Sequence, residues 1–163
     1  MKVFYIGPFF VGSTVNYRVN GLRQLGLDVY PFDTDSYFPT RKRGLHRLWR
    51  RLCWGPAVWR LNADLLSDSN RLQPDIVLID KGLMGSPDTL RKLKSLSAYL
   101  IHYSHDDQFN PVNQSRFYLA GIQKYDIHIT TKTFNVEELR QAGAVTVVFQ
   151  DNGYDPSVFY PRE

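Results

Sequence analysis

Six short apolar runs with helical patterns between them predict an α/β protein: a three-layer αβα domain around a mainly parallel six-stranded sheet. The runs lie at 3–6, 27–32, 76–79, 99–103, 127–129 and 145–149. Several show little alternation, as strands buried on both faces do. Strands that alternate with helices build a parallel sheet covered on both faces, with right-handed crossovers. The strand that opens the chain is expected at the centre. Residues 1–6 carry one positive side chain and meet Gly7-Pro8 at once, so they read as that strand and not as a signal peptide.

The helices follow in order. Val15, Val19 and Leu22 share one face of the first, which stops at Gly26. A second begins at Ser86-Pro87, an N-cap followed by proline at the first helical position. A third starts at Asn135, has Glu138 three residues on like a capping box, and ends at Gly143. Residues 44–61 hold all three tryptophans, Trp49, Trp54 and Trp59, amid arginines. There Leu45, Leu48, Trp49 and Leu52 follow helical spacing, and Pro56 is expected to break or kink the helix.

Composition bounds the function classes. The chain has 163 residues, 43% hydrophobic and 22% charged, which fits one ordinary globular domain able to bury a core without staples. No apolar run reaches the ~18 residues of a membrane span. Cys53 is the only cysteine, so no internal disulfide framework exists, and a reducing compartment, the cytoplasm, is expected. Basic residues number 20 and acidic ones 16. Six of the basic ones, Arg41, Lys42, Arg43, Arg47, Arg50 and Arg51, sit within 41–51; without them 14 basic side chains face 16 acidic ones. The excess is therefore local, which argues against a general nucleic-acid surface. Arg47, Arg50 and Arg51 are either a solvated helix face or an anion contact, such as a peripheral membrane contact.

Ligands of open parallel sheets sit beyond the carboxyl ends of the strands. That rule nominates the loops at 7–13, 33–40, 80–86, 104–110, 130–133 and 150–155. The first has Gly7 and Gly12 with proline and two phenylalanines between them, unlike a dinucleotide or phosphate-cradling fingerprint. No nicotinamide or flavin cofactor is expected. Gly12 and Ser13 form either a tight turn with an N-cap or an anion contact. The four histidines lack zinc-ligand spacing, and no metal site is expected.

The densest polar cluster is His102-Tyr103-Ser104-His105-Asp106-Asp107-Gln108. Strand alternation puts His102 and Ser104 on one face, Tyr103 and His105 on the other. Two carboxylates beside a histidine can supply a general base, or Asp106 and Asp107 simply cap the next turn. Lys81, after the third run, meets a ligand or pairs with Asp80 or Asp106. Lys132, within Thr130-Thr131-Lys132-Thr133, opens a helix where an anion would fit, although capping explains the threonines equally.

Taken together, several segments resemble one family. They are Val3-Phe4-Tyr5-Ile6-Gly7-Pro8-Phe9-Phe10, Pro31-Phe32-Asp33-Thr34-Asp35, Pro74-Asp75-Ile76-Val77-Leu78-Ile79-Asp80-Lys81-Gly82, Tyr103-Ser104-His105-Asp106-Asp107, Thr130-Thr131-Lys132-Thr133-Phe134-Asn135-Val136-Glu137-Glu138 and the closing Asn152-Gly153-Tyr154-Asp155-Pro156-Ser157-Val158-Phe159-Tyr160-Pro161. The pattern is similar to the amino-terminal half of CgeB-like, spore-maturation-type glycosyltransferases of the two-domain GT-B architecture. The resemblance implies a Rossmann-like acceptor-side domain over 1–150 and the start of an interdomain link over 151–163. It implies transfer of a sugar from a nucleotide-sugar donor to a hydroxyl acceptor, completed by a second, donor-binding domain. Asp106, Asp107 or His105 would act as base or orient the acceptor. Gly7, Gly12, Ser13, Lys81, Ser104 and Lys132 would line the cleft. The rival expectation is a non-catalytic α/β binding or interaction module, peripheral to a membrane through 41–60 or self-associating through the bare cleft face.

Overall fold

The structure, a computed structural model, describes residues 1–38 and 52–153. Among them, six parallel strands form one sheet in the order β2-β1-β3-β4-β5-β6. The strands are β1 (Lys2–Gly7), β2 (Asp28–Asp33), β3 (Ile76–Asp80), β4 (Tyr99–Ser104), β5 (Ile127–Thr130) and β6 (Val147–Phe149). The helices are α1 (Val15–Gln24), α2 (Pro56–Leu72), α3 (Pro87–Ser95), α4 (Arg116–Gly121) and α5 (Thr133–Gln141). The α/β class and the parallel sheet are as the sequence predicts. The opening strand is interior but second from one edge. The last strand is shorter than its apolar run, and Val145 lies exposed before it.

Alternation in β1 and β3 sorts the core. Phe4, Ile6, Val77 and Ile79 face one side and pack with Val58, Leu61 and Leu65 of α2 and Leu90 and Leu93 of α3. Each fully buried Leu or Val there contributes roughly 1.5–3 kcal/mol. Val3 and Tyr5 face the other side, against Val15 and Val19 of α1. Tyr118 of α4 and Leu139 of α5 cluster with Val147, which is in register with His128 on the α2 face.

Among the described residues the faces are unequally covered. Only the β1-to-β2 step runs one way along the sheet; the later steps run the other way, and right-handed crossovers place their helices on the opposite face. On the α1 side, Ile101, Ile127 and Ile129 remain half-buried, while Tyr99 is 53% and Val148 42% exposed.

Three local expectations also change. Pro56 opens a helix instead of breaking one: Gly55, at φ 111°, precedes it, and proline at the first position has no amide that the helix would need. Cys53, inside the helical pattern read over 44–61, is buried in a turn at φ 49° instead of within a helix. Asn135 lies inside α5 and not at its cap, because its carboxamide is held by neighbours described below. Ser86 caps α3 as predicted, accepting the amide of Thr89 at 3.1 Å. Residues 41–51, with Arg47, Arg50 and Arg51, lie outside the described residues, as does most of the expected link at 151–163. Among the described residues no helix is long and apolar enough to cross a membrane.

Candidate functional site

The strand order reverses direction between β1 and β3, and the loops after those strands meet there. Gly7 ends β1 next to Asp80, which ends β3; a Cβ on Gly7 would lie 3.2 Å from the Asp80 Cβ. A side chain on Gly7 would press on Asp80 there. Gly12 adopts φ 84° in the turn before α1. Ser13 is buried, its hydroxyl donating to the Pro8 carbonyl at 2.7 Å and accepting the Val15 amide at 3.3 Å. Its hydroxyl builds the turn.

On the α1 side of the crevice lies a cluster that no sequence motif announces. Asp80 has a side chain 0% exposed. The Arg18 guanidinium meets its Oδ2 at 2.5 Å through Nη2 and at 3.1 Å through Nε. The Tyr5 hydroxyl donates to the same oxygen at 2.9 Å, and Arg18 lies 4.6 Å above the centre of the Tyr103 ring. Burial, reinforced by the Asp80 charge, pushes the Tyr5 hydroxyl far above its ordinary pKa, so it stays a donor. The other oxygen of Asp80, Oδ1, is buried with no hydrogen-bond partner. The signal that could have revealed Arg18 is its place on the inner side of α1, within one turn of Val15.

Lys81 follows Asp80 in an unusual backbone. Its φ is 66°, and the Gly82 amide donates to the Asp80 carbonyl at 2.9 Å, closing a three-residue γ-turn of the rare, strained positive-φ kind. Gly82, at φ 60°, packs so closely that a Cβ would lie 3.0 Å from the Tyr125 hydroxyl. The turn aims Lys81 at β4: its Nζ lies 2.9 Å from Asp106 Oδ2. His105 Nε2 stands 3.6 Å from Asp106 Oδ1. Burial, helped by the Lys81 charge and opposed by Asp106, lowers the His105 pKa and favours the neutral ring near pH 7. Lys81, Asp106 and His105 thus form one partly exposed constellation: of the sequence candidates, these three are brought together.

The remaining candidates serve the loop. Ser104 is buried; its hydroxyl accepts the Asp106 amide at 3.2 Å and also binds the Gln108 carboxamide. Asp107 Oδ1 accepts from the amides of Phe109 and Asn110 and from Asn135 Nδ2 at 3.0 Å. Those bonds, the one from Asn135 first, hold its carboxyl below the usual range. Asn135 also receives the Gln108 amide at 3.1 Å. The pair Asp107–Asn135 ties the loop after β4 to α5. Thr130 accepts the Lys132 amide and Thr131 donates to the His105 carbonyl, both at 3.2 Å, so these hydroxyls also brace loops. Lys132 precedes α5 without a side-chain cap.

Below the γ-turn, on the α2 side, is a cavity of about 270 Å³. Ile6, Ile79, Leu61, Leu65 and Met84 form much of its wall, and Lys81 and Gly82 stand at its polar end.

The γ-turn yields a stability test. Lys81→Gly is expected to stabilise the protein by about 1 kcal/mol, because ~1–3 kcal/mol of strain outweighs glycine's extra unfolded freedom and the small worth of a half-exposed ion pair. That is a Tm gain of roughly 2–4 °C. Lys81→Ala keeps the strain and should melt below both. Alanine melting above glycine in a thermal scan would contradict a strained turn.

What this geometry can do chemically is hold a small hydroxylated or anionic ligand beside a lysine, a carboxylate and a neutral imidazole. Compared with family models and with curated proteins, the chain matches neither.

Proposed function

We propose that this chain is the acceptor-side domain of a glycosyltransferase, as its resemblance to the CgeB-like group suggests. The observation that carries the reading is the Lys81–Asp106–His105 constellation at the point where the strand order reverses, built on a strained turn. Strain at such a place is worth keeping when it positions a reacting group. In this reading the acceptor hydroxyl lies against Asp106. Its proton passes to the carboxylate as the oxygen bonds to the anomeric carbon, and the bond from that carbon to the nucleoside diphosphate breaks. Lys81 and His105 orient Asp106; Asp107 and Ser104 hold the loop. The donor would be presented by a second domain, so nucleotide sugars should show little affinity for this chain.

A second reading, a non-catalytic interaction module, is favoured by the half-open sheet face around Tyr99 and Val148. One titration separates the two. Calorimetry with a panel of sugar nucleotides and of hydroxyl acceptors should give weak acceptor binding, lost in Asp106→Asn with Lys81→Met, and no donor binding. Micromolar donor binding would overturn the domain assignment. No binding of either class would leave the module.

A further inference from the structure

We infer that the cavity beneath the γ-turn is the seat of an aromatic ring, so that the acceptor is a phenol or aryl alcohol instead of a plain sugar. This rests on the acceptor reading for the ligand's role, and on the cavity alone for its chemistry.

The size comes first. The space is about 270 Å³, and an apolar cavity of ~150 Å³ already admits benzene. A substituted phenyl or a bicyclic ring therefore fits. The wall comes second. Ile6 and Ile79 project from adjacent strands, and Leu61 and Leu65 lie one helical turn apart on α2. These four offer carbon to a ligand and no polar group from their side chains. A hydroxyl-rich ligand placed among them would lose its water without compensation, at a cost of roughly 1–3 kcal/mol for each unpaired hydroxyl. A ring would gain by the same desolvation.

The polar end comes third. The carboxylate of Asp80 belongs to the Arg18 cluster on the opposite face, so it does not serve this cavity. The amides of the γ-turn are also engaged, Lys81 N with the Tyr103 carbonyl and Gly82 N with the Asp80 carbonyl. The polar residues at this end are Lys81, paired with Asp106, and Thr34 and Asp35. One hydroxyl on the ring, pointing to Lys81 and Asp106, leaves the aliphatic wall to the ring itself.

The test uses the full chain with methyl-labelled Ile, Leu and Met, observed by NMR with p-cresol and, separately, glycerol. Saturable shifts of the Ile6, Ile79, Leu61 and Met84 methyls with p-cresol, absent with glycerol, are expected. Leu61→Trp fills the space and should weaken p-cresol at least tenfold. Because Leu61 sits within α2, Met84→Phe, in the loop after β3, provides a second filling and decides the matter if the first does not fold. Met84→Ala enlarges the space and should favour 2-naphthol over p-cresol. The inference is overturned by unsaturable or absent shifts, by unchanged affinity in the filled variant, or by glycerol moving the same methyls. Micromolar sugar-nucleotide binding would remove the acceptor reading yet leave ring binding intact, and loss of ring binding would leave the nucleotide result untouched.

Discussion

Arg18→Met is expected to cost about 3–5 kcal/mol of stability, the usual loss when a buried charge pair is broken from one side. The residue left behind decides the size. Asp80 is wholly shielded, one of its oxygens already lacks a partner, and the other would keep only the Tyr5 hydroxyl. Without the guanidinium, the carboxylate must stay charged in a poor environment or take up a proton. At roughly 2–4 °C per kcal/mol for a chain of this length, Tm should fall by on the order of 10 °C. The control is the double variant Arg18→Met with Asp80→Leu. It removes both charges and should recover a large part of the loss, since well-packed apolar replacements of buried pairs are often neutral or better. Urea melts of the four proteins close the cycle. A loss below ~1 kcal/mol in the single variant, or strictly additive losses in the double, would show that the pair is not coupled. Because Asp80 leads into the γ-turn, the single variant should also broaden amide signals of Lys81 and Gly82.

The contrast between Arg18 and Lys81 shows how far the sequence could be read. Lys81 follows an apolar run, and strand-end loops are where ligands gather, so its place at the site follows from local pattern. Its partner Asp106 was one of two possibilities, and the geometry decides for it over Asp80. Arg18 is separated from Asp80 by 62 residues, and nothing local joins them. Their meeting depends on β1 and β3 being neighbours, which is a matter of strand order, and strand order is settled by packing of the whole sheet. The same reason hides the uneven covering of its faces. Caps divide similarly. Ser86-Pro87 needs only its own backbone, and it forms as written. Asn135 has the right residue type at the right spacing, yet Asp107 and Gln108 from another loop claim its side chain. Pro56 is ambiguous in sequence because a proline that ends one pattern can equally begin the next, and the glycine before it is the clue. The crevice was therefore legible as a place, and Lys81, His105 and Asp106 as its members. The cavity was not, since Ile6, Leu61 and Ile79 look like any core residues until the tertiary fold leaves space between them.

Acid should weaken the fold well before its carboxylates titrate, because two histidines are buried against each other. His102 and His128 face one another through their Nδ1 atoms at 3.1 Å. His128 Nε2 lies 2.8 Å from the Ile122 carbonyl, which can only accept, so Nε2 carries a proton. In a neutral ring, Nδ1 of His128 is then the acceptor, and His102 Nδ1 is the donor. His102 Nε2 is left as a lone pair 3.4 Å from the Lys81 carbonyl. The other groups around the pair, Tyr118 and Tyr125, have hydroxyls raised far above neutrality by burial and carry no charge. A proton added to the pair would be a buried charge with no counter-ion beside it among the described residues. Burial accordingly lowers both pKa values, for His102 with a further contribution from His128. The unfolded chain binds protons as pH falls through about 6.5 and the folded chain does not, so stability is full above that pH and declines below it. Each ring that stays neutral costs about 1.4 kcal/mol per pH unit in that window. Carboxyls held low in the fold, such as Asp107 and Asp126, begin to act only below about pH 4. Urea midpoints at pH 7.5, 6.0 and 5.0 should therefore fall steadily, and His102→Leu should flatten the slope only in part, His128 and the partly buried His105 keeping the rest, whatever its effect on absolute stability. A flat profile between pH 7.5 and 5.0 would mean that the pair accepts its proton in the folded state, with His102 Nε2 then donating to the Lys81 carbonyl and clamping the turn that aims the lysine.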